Sequence, residues 1–330
     1  MGGDLTPSSF RNRSMALATN ERSASMELQE IKKVLIVGGG TMGQQIAFQC
    51  AAHGYGVSFY DIDEGALEKA LERLSAYADN LVTGGYLERQ TAEKALAGIA
   101  VTTDAMEAAK DTDLLSESVP EDQALKGKVF ARFNELCPAR TIFTTNTSML
   151  VPSVIAGATG RPERFLAFHF HQPVWIGNVA DIMPHPGTSA EVVTLVRDFA
   201  RSINQIPLVL RKENHGYVFN AMYSPLNFAA ITLLANGVAS VHDVDRAWMG
   251  IMKMSIGPLG MLDNVGLDTA LHVAESSKVT RNDPQTRINA EFLKKEYVDR
   301  GWLGVKTGQG FYTYPNPAYQ DPDFLKGKEI

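Results

Sequence analysis

The sequence predicts an α/β fold, a doubly wound parallel sheet followed by an all-helical C-terminal domain. Three observations predict it. Short apolar runs alternate with helical spacing from residue 31 to about 211, and a glycine-rich turn directly follows the first run. Beyond residue 212 the periodicity is helical. The 330 residues are enough for both parts, so the expected boundaries are an extension over 1–29, a sheet domain over 30–211 and a helical domain over 212–330.

The elements follow in order. Residues 1–25 are rich in Ser, Arg, Thr and Asn with no hydrophobic period, and a mobile extension is expected, with ordered chain from near Glu30. A transit-type leader would share that composition, but Asp4, Glu21 and the missing amphipathic stripe weigh against one. Residues 31–37 form an apolar run ending at glycines, as a buried parallel strand does. A helix is predicted over 41–53, a strand over 57–60 and a long helix from 64 to about 82. Further strands are predicted at 99–102, 113–116, 142–145, 165–170, 179–183 and 207–210, with helices such as 123–136 and 190–203 between most of them. No strand is expected from 217 to 297, where Asn236-Gly237 and Gly257-Pro258 punctuate helices.

Composition excludes several classes of function. A net charge of −6 and the lack of a basic run argue against a nucleic-acid partner. The longest apolar stretch, around 228–235, falls far short of the roughly 20 residues of a membrane span. Cys50 and Cys137 both fall in predicted helices, so reduced thiols in a cytoplasmic protein are expected.

The glycine turn reads Gly38-Gly-Gly40-Thr41-Met42-Gly43, between the first strand and the first helix. That context makes it a Rossmann-type dinucleotide signature. Gly38 permits the tight turn, Gly40 admits a pyrophosphate, and Gly43 lets the helix pack on the strand. The helix N-terminus then offers N–H groups to phosphate. Asp61, closing the second strand, suits ribose hydroxyls and repels a 2′-phosphate, so NAD is expected rather than NADP.

The strand over 165–170 runs into a polar turn, and its period of two puts His169 and His171 on one face, opposite Phe168 and Phe170. A histidine near the carboxyl end of such a strand lies where open α/β sheets place ligands. It is also the natural base for a hydroxyl proton near neutral pH. An H-x-H pair can bind metal as well, but no Cys or third His at ligand spacing supports that, and no metal is expected.

Several stretches together resemble the L-3-hydroxyacyl-CoA dehydrogenase family, especially its bacterial 3-hydroxybutyryl-CoA members. They are VGGGTMG (37–43), NTS (146–148), RFLAFHFHQPV (164–174), GYVFN (216–220), ANGVASVHDVD (235–245), IGPLGMLDNVGLD (256–268) and RGWLGVKTGQGFYTY (300–314). The resemblance implies that His169 is the base, that Asp181 orients it, that Ser148 bonds the substrate's 3-oxygen and that Asn220 holds the reacting end. It implies NAD contacts at Asp61, Glu121, Lys126, Asn146 and Lys306, besides Thr41 and Met42 of the turn. It also implies an acyl-CoA substrate and a homodimer through the helical domain. His169 and Ser148 then belong to one domain and Asn220 to the other, so turnover is expected to need both.

Departures from the family pattern bear on substrate. H-F-F-N-P is His169-Phe170-His171-Gln172-Pro173 here, and only His169 of the two histidines is expected to pair with the acid. The usual Lys before the Glu is Asn178, and the Glu is Asp181, so the backbone must sit nearer or a water must bridge. The Arg after the second-domain Asn is Ala221. The lysine-rich stretch that helps hold CoA in relatives is Leu81-Val-Thr-Gly-Gly-Tyr86, leaving Lys69, Arg73, Arg89 and Lys94 nearby and Tyr86 as a stacking candidate. A relative acting on a free hydroxy acid or hydroxylated amine, of gulonate or carnitine type, is the alternative; Pro184-His185-Pro186 resembles that branch slightly.

Overall fold

The computed structural model describes residues 26–276 and 283–327. Residues 1–25 of the expected extension lie outside the described residues. The chain divides between Glu213 and Asn214 into two compact units.

The first unit opens with a 3-10 turn at Leu28–Glu30, earlier than the order expected from near Glu30, because the Glu30 carboxylate accepts the Glu27 N–H at 2.6 Å. There follow β1 (Lys33–Val37), α1 (Thr41–Ala52), β2 (Gly56–Tyr60), α2 (Glu64–Thr83), α3 (Arg89–Ala97), β3 (Ile99–Thr102), α4 (Ala105–Ala109) and β4 (Leu114–Glu117). Then come α5 (Gln123–Leu136), β5 (Ile142–Thr145), α6 (Ser153–Ala156), β6 (Phe165–Phe170), β7 (Val179–Pro184), α7 (Ala190–Ser202) and β8 (Ile206–Val209). The strands form one sheet in the order β3-β2-β1-β4-β5-β6-β7-β8.

Strands β1 to β6 are parallel, as expected, but β7 runs antiparallel to β6, and β8 runs parallel to β7. The expected doubly wound sheet is therefore mostly parallel, with one antiparallel pairing. The reason is chain length: residues 171–178 are too few for the dozen or so that a parallel crossover takes.

Period two sorts each strand between two apolar layers. Val34, Ile36, Leu166, Phe168 and Phe170 face α1, α2 and α7. Leu35, Val37, Phe143 and Phe165 face α4, α5 and α6. Fully burying a side chain such as Phe168 contributes about 2–3 kcal/mol. Asp63, Asp104, Asp122 and Ser189 cap α2, α4, α5 and α7 by accepting first-turn N–H groups. By contrast, α1 starts at Gly40 with no side-chain cap.

The second unit contains α8 (Phe219–Ala235), α9 (Val241–Met252), α10 (Pro258–Val265), α11 (Leu267–Ser276) and α12 (Pro284–Glu296). Two buried carboxylates organise it. Asp245 accepts Leu259 N–H and Gly260 N–H, both at 2.9 Å, and so caps α10. Asp263 accepts Phe311 N–H and Tyr312 N–H at 2.9 Å and the Tyr314 hydroxyl at 3.0 Å. The motifs over 256–268 and 300–314 are therefore largely scaffold. A Cβ at Gly257 would run into the Asp245 carboxyl.

Candidate active site

The glycine turn distinguishes its three glycines by contact. Gly38 has φ +113°, and a Cβ there would lie 2.7 Å from the Ser118 carbonyl oxygen. A Cβ at Gly43 would run into the Gly38 carbonyl, so that glycine lets α1 approach β1. Gly40 differs: a Cβ there meets nothing within 4 Å among the described residues. The fold does not need a glycine at Gly40, and what it leaves is open space at the uncapped N-terminus of α1, beside Thr41 and Met42. That is the form of a phosphate cradle. Buried Gln44 steadies the turn by donating Nε2–H to the Gly39 carbonyl at 2.8 Å. Asp61 Oδ2 accepts Gly39 N–H at 2.6 Å and Oδ1 accepts Asp63 N–H at 3.1 Å, which holds the carboxylate at the rim of the turn. These residues fit a dinucleotide.

At the same carboxyl edge of the sheet, β6 carries His169, and His171 directly follows it. The antiparallel register sets His169 directly opposite Asp181, and His169 Nδ1 donates to Asp181 Oδ2 at 3.1 Å. The shorter acid needs no bridging water, because cross-strand partners already sit close. His171 departs from expectation: its Nε2 donates to the same Asp181 Oδ2 at 3.0 Å, so His169 is not the sole partner of the acid. The two rings lie 4.6 Å apart. One ligand-type atom from each of His169, His171 and Asp181 falls within 4.8 Å of the others, yet 3.0 and 3.1 Å are hydrogen-bond separations. Burial lowers the proton affinity of His169 and outweighs the opposing bond to Asp181. Burial pushes the Asp181 carboxyl up, but the bonds from His169 and His171 more than offset it, so it stays ionised below the usual carboxylate range.

Asn146 and Ser148 occupy the turn after β5. The Asn146 side-chain oxygen accepts Phe170 N–H at 2.8 Å, tying that turn to the backbone between the two histidines. Glu121 grips the turn on both sides of half-buried Ser148, accepting the Thr147 hydroxyl and, at 3.1 Å, Met149 N–H. Lys126 is held inside the fold. Its side chain is 1 % exposed, and Nζ donates to Glu117 at 2.7 Å and to the Val119 carbonyl at 3.1 Å, and lies 3.4 Å from Glu121. Buried Glu117, which sequence reasoning missed, also accepts the Thr145 hydroxyl at 2.6 Å and Val119 N–H at 2.7 Å. Burial holds Glu117 above the ordinary carboxylate range despite the Lys126 pairing. A Ser-Glu-Ser sequence at a strand's carboxyl end was the available signal for it.

The remaining two expected residues lie in the second unit. Half-buried Asn220 is in the first turn of α8, and Lys306 donates to both Asp268 oxygens at 2.6 Å.

An imidazole held by a buried carboxylate, at the sheet edge that also carries a dinucleotide turn, defines an NAD-dependent dehydrogenase. Two family descriptions match the chain: 3-hydroxyacyl-CoA dehydrogenase, NAD binding domain, over residues 33–214, and its C-terminal domain over 216–314. The chain belongs to the 3-hydroxyacyl-CoA dehydrogenase family. It is 33 % identical to a 3-hydroxybutyryl-CoA dehydrogenase of Clostridioides difficile, over 86 % of this chain and 99 % of that one. Among solved structures, a diketoreductase described as acting on dicarbonyl compounds is 41 % identical, with a TM-score of 0.80, over 86 % of this chain and 99 % of that one. The (S)-3-hydroxybutyryl-CoA dehydrogenase of Ralstonia eutropha is 31 % identical, with a TM-score of 0.76, over 87 % of this chain and 100 % of that one.

Proposed function

We propose that the protein oxidises the 3-hydroxyl of a 3-hydroxyacyl-CoA to the ketone, and catalyses the reverse reduction, with His169 as the proton-transferring group. The observation that carries this reading is the His169–Asp181 bond. With Nδ1–H committed to the carboxylate, the ring's lone pair lies on Nε2, and that atom takes the hydroxyl proton. Asp181 stabilises the imidazolium that forms, against the cost of burial. Bound NAD supplies the hydride acceptor. Gly40, Thr41, Met42 and the α1 N-terminus would hold its phosphates, Asp61 a ribose, and Glu121, Asn146 and Lys306 lie at positions the family assigns to the cofactor. Ser148 is assigned to the 3-oxygen and Asn220 to the reacting end. Lys126 is better read as a brace for Glu121 than as a cofactor contact.

The gulonate- or carnitine-type alternative is not favoured, since the family match covers both units. The diketoreductase relative supports one second reading, a dicarbonyl compound without CoA. The CoA end is provided with few cations: Lys69 and Arg73 on α2 and Lys94 on α3 are exposed, while Arg89 is paired with Asp79. Each such cation contributes on the order of 1 kcal/mol. Tyr86, 55 % exposed and lying over Gly84, can stack on an adenine for about 1–3 kcal/mol. Acetoacetyl-CoA, its pantetheine-truncated thioester and a dicarbonyl ester, each assayed with NADH at low and high salt, decide the matter. The CoA thioester is expected to have the highest kcat/KM and to lose it on truncation. Equal rates on all three would overturn the thioester assignment.

We also infer a homodimer through the helical unit, where Met222, Val238 and Ile251 are largely exposed apolar residues. A place in fatty-acid oxidation in a reducing, cytoplasmic compartment suits a chain whose two described cysteines are buried free thiols. Among the described residues, no helix is long and apolar enough to cross a membrane.

A further inference from the structure

We infer that His171 is a positioning residue for the reaction: by donating Nε2–H to the Asp181 oxygen that holds His169, it limits how far the carboxylate raises the proton affinity of the base. The inference rests on the reading of His169 as that base.

Asp181 Oδ2 receives both imidazoles, His169 at 3.1 Å and His171 at 3.0 Å, while Oδ1 is buried and has no hydrogen-bond partner among the described residues. Both interactions therefore fall on one oxygen, and each donor weakens what that oxygen offers the other. One carboxylate balances one imidazolium, not two. With the ring centroids 4.6 Å apart, a proton on either ring raises the cost of a proton on the other. The charged groups acting on His169 include Asp181 of β7 and Glu121 after β4, which favour its protonation, and His171 after β6, which opposes it. The family pattern has Phe where this chain has His171, and an apolar ring would leave Oδ2 to the base alone. The His171 side chain is 18 % exposed against 7 % for His169, so it is the more solvent-accessible of the two rings. The consequence is directional. A base that resists premature protonation takes the hydroxyl proton over a wider acid range, and gives it back more readily in the reduction.

The test compares kcat/KM for alcohol oxidation against pH in the unsubstituted enzyme, His171→Phe and His171→Gln. In His171→Phe the acid limb is expected to move up by about half a pH unit or more, a threefold gain in proton affinity, with the plateau largely retained. His171→Gln keeps an N–H donor, and its limb is expected to stay near that of the unsubstituted enzyme. An unchanged limb in His171→Phe, an equal loss of activity at every pH, or an equal shift in both variants would overturn the inference. A second readout needs no variant to fold and no substrate. NMR titration of the ring Cε1–H signals in the unsubstituted protein is expected to show a coupled, multi-step curve for His169. Two independent single-step curves would count against the coupling whether or not His169 proves to be the base.

Discussion

Burial lowers the proton affinity of His169, and the Asp181 bond only partly restores it. The folded chain therefore binds this proton less readily than the unfolded chain does. Falling pH through the ordinary histidine range favours unfolding at this residue, and the stability linked to it is greatest above that range. The same balance keeps the ring neutral when a hydroxyl proton must be accepted. Replacing the ring by an amide removes the acceptor while keeping a polar group of similar reach. His169→Gln is expected to lower kcat by at least ~10²-fold, with NAD affinity changed by less than about threefold. Stopped-flow turnover and NAD fluorescence titration measure the two separately. Retained turnover would move the base elsewhere. Burial also acts on the two described thiols: Cys50 and Cys137 are both pushed up to about 12, which keeps them protonated at neutral pH.

At the scale of elements, the β1–turn–α1 unit separates stability from binding within six residues. Gly43→Ala places a methyl against the Gly38 carbonyl, and is expected to destabilise the fold by about 1–3 kcal/mol. Gly40→Ala is sterically free, at φ −70°, so the melting temperature is expected to hold while the Kd for NAD rises ~10-fold or more. Calorimetry of both variants checks the pair, and equal effects on melting would sink the distinction. This turn was legible in the sequence because its local rules suffice: an apolar strand, glycines at fixed spacing and a helix behind them. The antiparallel β7 was not, since the residues of a parallel and an antiparallel buried strand look alike; the loop over 171–178 was the missed signal. From that one direction the rest follows, because antiparallel pairing sets Asp181 opposite His169 and diagonal to His171. Helix α3 escaped because it buries only Ala92 and Ala95, and α4 because it has five residues. The buried pairing of Lys126 with Glu117 was not legible either, because sequence alone does not report burial.

At the scale of the whole molecule, each unit has an apolar core of its own. The buried residues of the two apolar layers on the sheet all fall between Ile31 and Ile203, and those of the helical unit's core between Ala230 and Tyr312. The first unit also closes its own C-terminal edge: Glu213 accepts Ser153 N–H at 2.6 Å, and β8 pairs along β7. A chain ending at Glu213 therefore keeps its sheet, both apolar layers, the glycine turn and Asp61, and is expected to fold and to bind NAD. It retains His169, Asp181 and Ser148 but lacks Asn220. If Asn220 holds the reacting end of the substrate, loss of that orientation removes an effective-concentration advantage worth several kcal/mol. Turnover by the shortened chain is expected to fall by at least ~10³-fold, with NAD affinity within about tenfold of the full chain. Substituting Asn220→Ala in the full chain separates the residue from the rest of the helical unit. A shortened chain that still dehydrogenates at a comparable rate would show that the first unit carries the whole reaction.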